Sequence, residues 1–176
     1  QGFDYFYGLY LGEVHSYFTH DYYGAHALHS QRRPVHTKGY MTDLFTEEAV
    51  KVIEGKPADK PLFLYLSYNA PHDPLQAKPE DEAKYPKVIY KHRKTYLAMI
   101  DNMDQGIGRI TAALEAQGQL DNTLILFLAD NGGAAEEAVV SAQNVFVLIA
   151  TGTNRNGDAI IKVNDTDVAA PRYHAR

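Results

Sequence analysis

The sequence predicts an α/β fold, and three observations carry the prediction. Two apolar runs of strand length, Leu62–Tyr68 (LFLYLSY) and Thr123–Ala129 (TLILFLA), each follow a segment with helical spacing. The order helix, strand, helix, strand implies parallel strands joined by a right-handed crossover. Each run then breaks off into polar residues, Asn69-Ala70-Pro71-His72 after the first and Asp130-Asn131-Gly132-Gly133 after the second. In open α/β sheets the edge beyond the strand C-termini is where ligands and chemistry sit. His72 and the Asp130-Asn131 pair are therefore expected at one edge of a shared sheet, facing one pocket.

The elements follow in chain order. Residues Gly2–His36 are rich in Tyr, Gly and His without clear periodicity, and read as an ordered, irregular segment covering the sheet edge. Its histidines (His15, His20, His26, His29 and His36) match no metal-ligand spacing and are assigned to packing or surface roles. Thr42-Asp43 opens a helix through Gly55, with Thr46 and Glu47-Glu48 placing capping and acidic groups in its first turns. Phe45, Ala49, Val52 and Ile53 form its apolar face, and Gly55 and Pro57 end it. The run Leu62–Tyr68 is apolar nearly throughout, which suggests a strand covered on both faces. A Pro-rich connection, Asn69–Pro86, leads to a long helix from Tyr90 to Gln117. Tyr96, Ile100, Met103, Ile107, Ile110 and Leu114 step by fours and threes along one face of that helix. Gly106 and Gly108 interrupt it, at about 1 kcal/mol each relative to Ala, and suggest close packing on the sheet. After Gly133 the pattern changes: Ala134–Ala142 suggests a short helix, Val145–Ala150 a buried strand and Ala159–Val163 another, and Asn164–Arg176 should fray.

Composition narrows the function classes. With 176 residues, 45% hydrophobic and 22% charged, the chain reads as globular. A net charge of -5 argues against a nucleic-acid grip, which needs clustered Lys and Arg. Arg32-Arg33 and Lys91-His92-Arg93-Lys94 are small clusters that read as solvated faces. There is no cysteine, hence no disulfide framework and no thiolate ligand or nucleophile. No apolar run approaches the ~18 residues of a membrane span.

The two strand ends carry the chemistry. Asp130 offers a carboxylate oxygen and Asn131 a neutral carbonyl oxygen, a pair suited to Ca²⁺ or Mg²⁺. An Asp-Asn-Gly turn explains the same residues without a metal. His72 stands between Pro71 and Asp73-Pro74, and prolines stiffen a loop. Its imidazole can donate a hydrogen bond to a sulfate or phosphate oxygen, or protonate a leaving group. The alternative is a solvent-exposed loop histidine.

Four segments together resemble the sulfatase family of the alkaline-phosphatase superfamily, most closely its arylsulfatase B-like branch of N-acetylgalactosamine-4-sulfatase type. They are GFDYFYG at Gly2–Gly8, GYMTDLFTEEAVKVI at Gly39–Ile53, KPLFLYLSYNAPHDPLQ at Lys60–Gln76, and the stretch from Tyr96 to Gly133 that ends LILFLADNGG. The resemblance implies an alkaline-phosphatase-like sheet sandwiched by helices. It divides the chain into a partial sulfatase catalytic domain, residues 1–133, and a divergent tail, residues 134–176, which could complete the same domain. It implies hydrolysis of sulfate esters, on an aryl sulfate or a sulfated sugar, using Ca²⁺ and formylglycine. It gives Asp130 and Asn131 the place of the last two Ca²⁺ ligands, and His72 that of the histidine contacting the ester near its bridging oxygen. It also implies an exported protein, whether periplasmic, extracellular or lysosomal.

The family nucleophile arises from Cys or Ser in a C/S-x-P-x-R motif, and these 176 residues contain no Cys and no Ser in that pattern. An upstream Asp pair is missing, and Ala134-Ala135-Glu136-Glu137 replaces the usual basic, Gly-rich segment. The chain thus reads as an internal piece of a sulfatase, with little or no activity alone. Two other readings stand beside it: a superfamily phosphoesterase, and a non-catalytic relative that keeps the scaffold for binding.

Overall fold

The computed structural model describes residues 2–10, 14–57, 59–129 and 145–151. The first forty residues build two small antiparallel sheets. Strands β1 (Tyr7–Leu9), β4 (Leu28–Ser30) and β5 (Arg33–Pro34) form one, in the order β1-β4-β5; β2 (Asp21–Tyr22) and β3 (Ala25–His26) form the other. The irregular segment expected from the sequence is thus partly regular. Its strands of two or three residues are too short to show alternation, so periodicity does not reveal them. The β2–β3 turn is legible locally: Tyr23 and Gly24 take φ of 46° and 77°, the two positive values a tight hairpin turn demands.

Helix α1 (Met41–Gly55) and helix α3 (Lys91–Ala116) lie within a residue of expectation at each end. Between them come β6 (Leu62–Tyr68), where the sequence places a strand, and a four-residue helix, α2 (Pro79–Glu82). A 3-10 turn at Leu120–Asn122 leads into β7 (Thr123–Ala129), and β8 (Val145–Thr151) follows. The expected short helix at Ala134–Ala142, the strand at Ala159–Val163 and the frayed Asn164–Arg176 lie outside the described residues.

The main sheet differs from expectation in its pairing. β6 and β7 run in the same direction but do not touch; β8 lies between them, antiparallel to both, in the order β6-β8-β7. β8 (VFVLIAT) has partner strands on both edges, and its Val147 and Ile149 are fully buried.

Among the described residues β6 is not covered on both faces. Leu66 and Tyr68 turn into the core with α1, while Phe63 and Tyr65 on the opposite face are 60% and 47% exposed. Register places Leu124, Leu126 and Leu128 of β7 on that same open face. Phe3 stacks on Phe63 at 5.9 Å between ring centroids, so the N-terminal segment covers one corner of it.

α1 and α3 pack on each other through small and polar groups. Thr46, expected to cap α1, is instead buried on its inner face. Its hydroxyl donates to the Thr42 carbonyl at 2.9 Å and shares a hydrogen bond with the Tyr68 hydroxyl at 2.7 Å. The residue at the cap position, Tyr40, makes no side-chain cap bond. Gly106 of α3 sits directly over this pair, as close packing requires, whereas Gly108 faces open space. The buried stripe of α3 runs through Thr95, Ala98, Met99, Asn102, Met103, Gly106, Ile110, Ala113 and Leu114. It is rotated from the expected all-apolar stripe, leaving Tyr96, Ile100 and Ile107 half-buried. The rotation follows from what α3 meets: α1 and α2 present carboxylates and hydroxyls to it.

That polar seam centres on Asp81, whose side chain is 4% exposed. Lys84 Nζ donates to it at 2.9 Å, Asn102 Nδ2 at 3.2 Å, and Lys78 Nζ stands 3.6 Å away. Asn102 and Lys78 also reach Asp43 on α1, at 3.0 and 2.8 Å. Burial by itself would raise the Asp81 pKa; the Lys84 bond, the two lysine charges and the Asn102 amide outweigh it and hold the carboxyl below its usual value. A carboxyl with a depressed folded-state pKa stabilises fully above its unfolded value and loses that contribution as pH falls through the depressed one. The urea midpoint is expected to fall as pH drops through the ordinary Asp value, about 4, toward the depressed one. In Asp81→Asn the acid limb becomes shallower, and stability at neutral pH drops by about 1–3 kcal/mol, the worth of hydrogen bonds to a charged group. An acid limb identical in both proteins would refute the assignment.

Candidate active-site edge

Because β6 and β7 share a direction, their C-terminal ends lie at one edge of the sheet. Tyr68 and Ala129, the last residue of each strand, are both in register with Val145 of β8. The two ends are therefore about 10 Å apart, twice the spacing between strands. Beyond Tyr68 the chain turns at once: the His72 N–H donates to the Asn69 carbonyl at 2.8 Å. The Ala70–Pro71 and Asp73–Pro74 peptides, on either side of His72, are both cis.

His72 is half-buried. Its Nδ1 lies 2.9 Å from the backbone carbonyl of Asp73. A carbonyl only accepts, so Nδ1 carries the proton, and Nε2 is the acceptor of the neutral ring and a donor once the ring is protonated. Asp73 thus engages His72 through its backbone.

The loop is held from below by residues the sequence reading did not single out. Tyr17, 1% exposed, donates its hydroxyl to the His72 carbonyl at 2.9 Å and its N–H to Gln76 Oε1 at 2.8 Å. Tyr40 donates its hydroxyl to the Gln76 carbonyl at 2.8 Å, and the Tyr17 and Tyr40 rings stack at 5.6 Å. Two residues on, Lys78 ties the end of the loop to Asp43. One sequence signal pointed here: the resembling stretch after β6 continues to Gln76, beyond the histidine.

The N-terminal histidines take packing or surface positions, with His15 and His36 exposed. His20 is buried with Nε2 3.0 Å from the Gly39 carbonyl; His26 Nε2 meets the Val35 carbonyl at 2.5 Å, and its ring lies 4.3 Å from that of His36. Among the described residues no group of three or more His, Asp or Glu could hold a metal ion. Asp130 and Asn131 lie outside the described residues. Their hard oxygens suit Ca²⁺ in kind, but two donors fall short of the six to eight that Ca²⁺ takes. No helix among the described residues is long and apolar enough to cross a membrane.

A family model described as sulfatase matches residues 1–166. The chain belongs to the sulfatase family. Among curated relatives, the uncharacterized sulfatase YdeN of Escherichia coli K12 is 39% identical over 140 residues, covering 77% of this chain and 24% of that protein. Arylsulfatase J of Mus musculus is 36% identical over 94 residues, covering 53% and 16%. Among solved structures, Ps i-CgsB in complex with k-i-k-neocarrahexaose superposes with a TM-score of 0.65 at 28% identity, covering 90% of this chain and 41% of that one. This likeness places the α/β architecture within the sulfatase, alkaline-phosphatase-like fold. The sulfatase segment described here thus spans well under half the length of the proteins it matches.

Proposed function

We propose that this chain is part of a sulfatase whose whole form hydrolyses sulfate esters, and that it contributes His72, Asp130 and Asn131 to the active site. The observation that supports this best is the common direction of β6 and β7, which brings the end leading to His72 and the end leading to Asp130 to one sheet edge. With its ring protonated, His72 then donates from Nε2 to the bridging ester oxygen, while Nδ1 is held by the Asp73 carbonyl. Asp130 and Asn131 supply two oxygen ligands to a Ca²⁺ whose charge would hold the sulfate group. The remaining ligands and the formylglycine nucleophile come from outside these 176 residues.

A sulfated glycan is the favoured substrate class, since one structural relative was solved with a neocarrahexaose. Sulfate-ester hydrolysis on such a glycan fits an exported enzyme. The net charge of -5 gives the chain no basis for holding nucleic acid.

The experiment has two arms. The 176-residue chain is expected to leave p-nitrophenyl sulfate unhydrolysed, because nothing in it replaces the nucleophile. Turnover that co-purifies with the chain and disappears in His72→Ala would overturn that. The longer reading frame around the segment is then expected to contain C/S-x-P-x-R. Made with formylglycine, its product should cleave sulfate esters, and His72→Ala should lower kcat by about 10²–10⁴-fold, the worth of a positioned acid. A preference for phosphate monoesters would instead support the phosphoesterase reading. A frame without the motif would support the non-catalytic scaffold, which Ala134-Ala135-Glu136-Glu137 in place of the basic segment also favours.

A further inference from the structure

We infer that Tyr17 is a positioning residue for His72, acting with Gln76 and Tyr40 as one clamp that sets the tautomer of the imidazole. The inference rests on the proposed role of His72. The His72 loop is irregular and begins at the end of a strand that, among the described residues, has one partner strand, so the sheet alone does not fix it. Beyond its own turn and the Lys78–Asp43 tie, the loop is held by contacts from the N-terminal segment. Tyr17 reaches two positions on the loop four residues apart, with its hydroxyl on the His72 carbonyl and its N–H on Gln76 Oε1. Tyr40 holds the Gln76 backbone through its own hydroxyl. Tyr17 is in turn anchored where α1 begins, its carbonyl accepting the Met41 N–H at 2.8 Å.

The consequence for the ring is specific. With the His72 carbonyl held by Tyr17, the following peptide presents the Asp73 carbonyl to Nδ1 at 2.9 Å. Nδ1 must then keep the proton and Nε2 is the free nitrogen. Release of the His72 carbonyl lets that peptide turn and removes the acceptor that selects the tautomer. The clamp does not titrate in the working range. Burial pushes the Tyr17 hydroxyl far above the usual tyrosine value, with the Tyr40 and Asp73 charges acting the same way, so it remains a donor.

The test reads the ring itself in the 176-residue chain, by long-range ¹H–¹⁵N correlation with His72 assigned from His72→Gln. The native chain is expected to show the neutral Nδ1–H form. In Tyr17→Phe the ratio of Nδ1–H to Nε2–H falls at least about fivefold, the factor one ordinary hydrogen bond sets. Far-UV circular dichroism of that variant remains native. Gln76→Ala removes the second contact from the loop side, and is expected to shift the ratio in the same direction; it serves alone if Tyr17→Phe does not fold. An unchanged tautomer ratio in a folded Tyr17→Phe or Gln76→Ala would overturn the inference. If the longer enzyme proves indifferent to His72→Ala, the proposed role of His72 fails instead, and the tautomer result still decides the clamp.

Discussion

Gly106→Ala is expected to destabilise the protein, although alanine is the better helix former. A Cβ at position 106 would overlap Thr46 Oγ1 and stand 3.1 Å from the Tyr68 hydroxyl. Thr46 cannot swing aside cheaply, because its hydroxyl is bonded both to the Thr42 carbonyl and to Tyr68, and its methyl already lies 3.4 Å from the same point. Overpacking costs about 1–3 kcal/mol, and a buried hydroxyl left without its partner another 1–3. The gain in helix propensity is only about 1 kcal/mol. The net loss is thus about 1–5 kcal/mol, read as a fall in the urea midpoint. Gly106→Val should cost more, and this chain has little stability to lose.

Two controls separate the collision from the helix. Gly108→Ala meets open space and should stabilise by up to about 1 kcal/mol. Thr46→Ala combined with Tyr68→Phe removes the hydroxyl pair together, and Gly106→Ala should cost measurably less in that background. A Gly106→Ala protein as stable as the native one would show that α1 and α3 are less tightly apposed than described.

The second large effect concerns the open face of the main sheet. Phe63, Tyr65, Leu126 and Leu128 are 60%, 47%, 41% and 47% exposed on one face, with no charged residue from β6 or β7 among them. Among the described residues β6 and β7 each have one partner strand, so both outer edges lie open as well. A contiguous apolar face beside open strand edges favours association. The purified chain is expected to bind a hydrophobic dye such as ANS and to self-associate at micromolar concentration, with a broad thermal transition. Phe63→Lys with Leu126→Lys should abolish dye binding and weaken association by about 10²–10⁴-fold, at roughly 1.5–3 kcal/mol for each large side chain withdrawn from an apolar contact. A monomeric, dye-negative native chain with one cooperative transition would show that residues outside the described set cover this face. It would also favour a compact, non-catalytic relative over a segment of a larger enzyme.

Family and element order were legible in the sequence because they depend on local signals. LFLYLSY and TLILFLA read as strands from their length and composition, although their burial did not follow, and the spacing of α3 fixes its length to within a residue at each end. His72 could be singled out because it follows a strand at once between two prolines. Less legible was every feature that depends on a distant partner. Thr46 looks like a capping residue in its own window, and only Tyr68 and Gly106, brought in from β6 and α3, make it a buried hinge of the core. Tyr17 looks like one of many tyrosines in an irregular segment until Gln76 and the His72 carbonyl are placed against it.

By itself the sequence determined that this is a sulfatase-family α/β chain of globular composition without the family's nucleophile motif, and that its polar groups follow directly on two apolar strands. These are properties of composition, order and spacing, which the chain carries before it folds. Only the tertiary structure decided that β8 separates β6 from β7, that among the described residues one face of the sheet is left exposed, and that α3 turns a polar stripe toward α1 and α2. It also decided that a clamp from the first forty residues holds the loop of His72. The physical reason is the same for each. Strand order, helix rotation and the partner of a buried hydroxyl are settled by which arrangement buries the most apolar surface while pairing every polar group, and that balance exists only once distant segments meet.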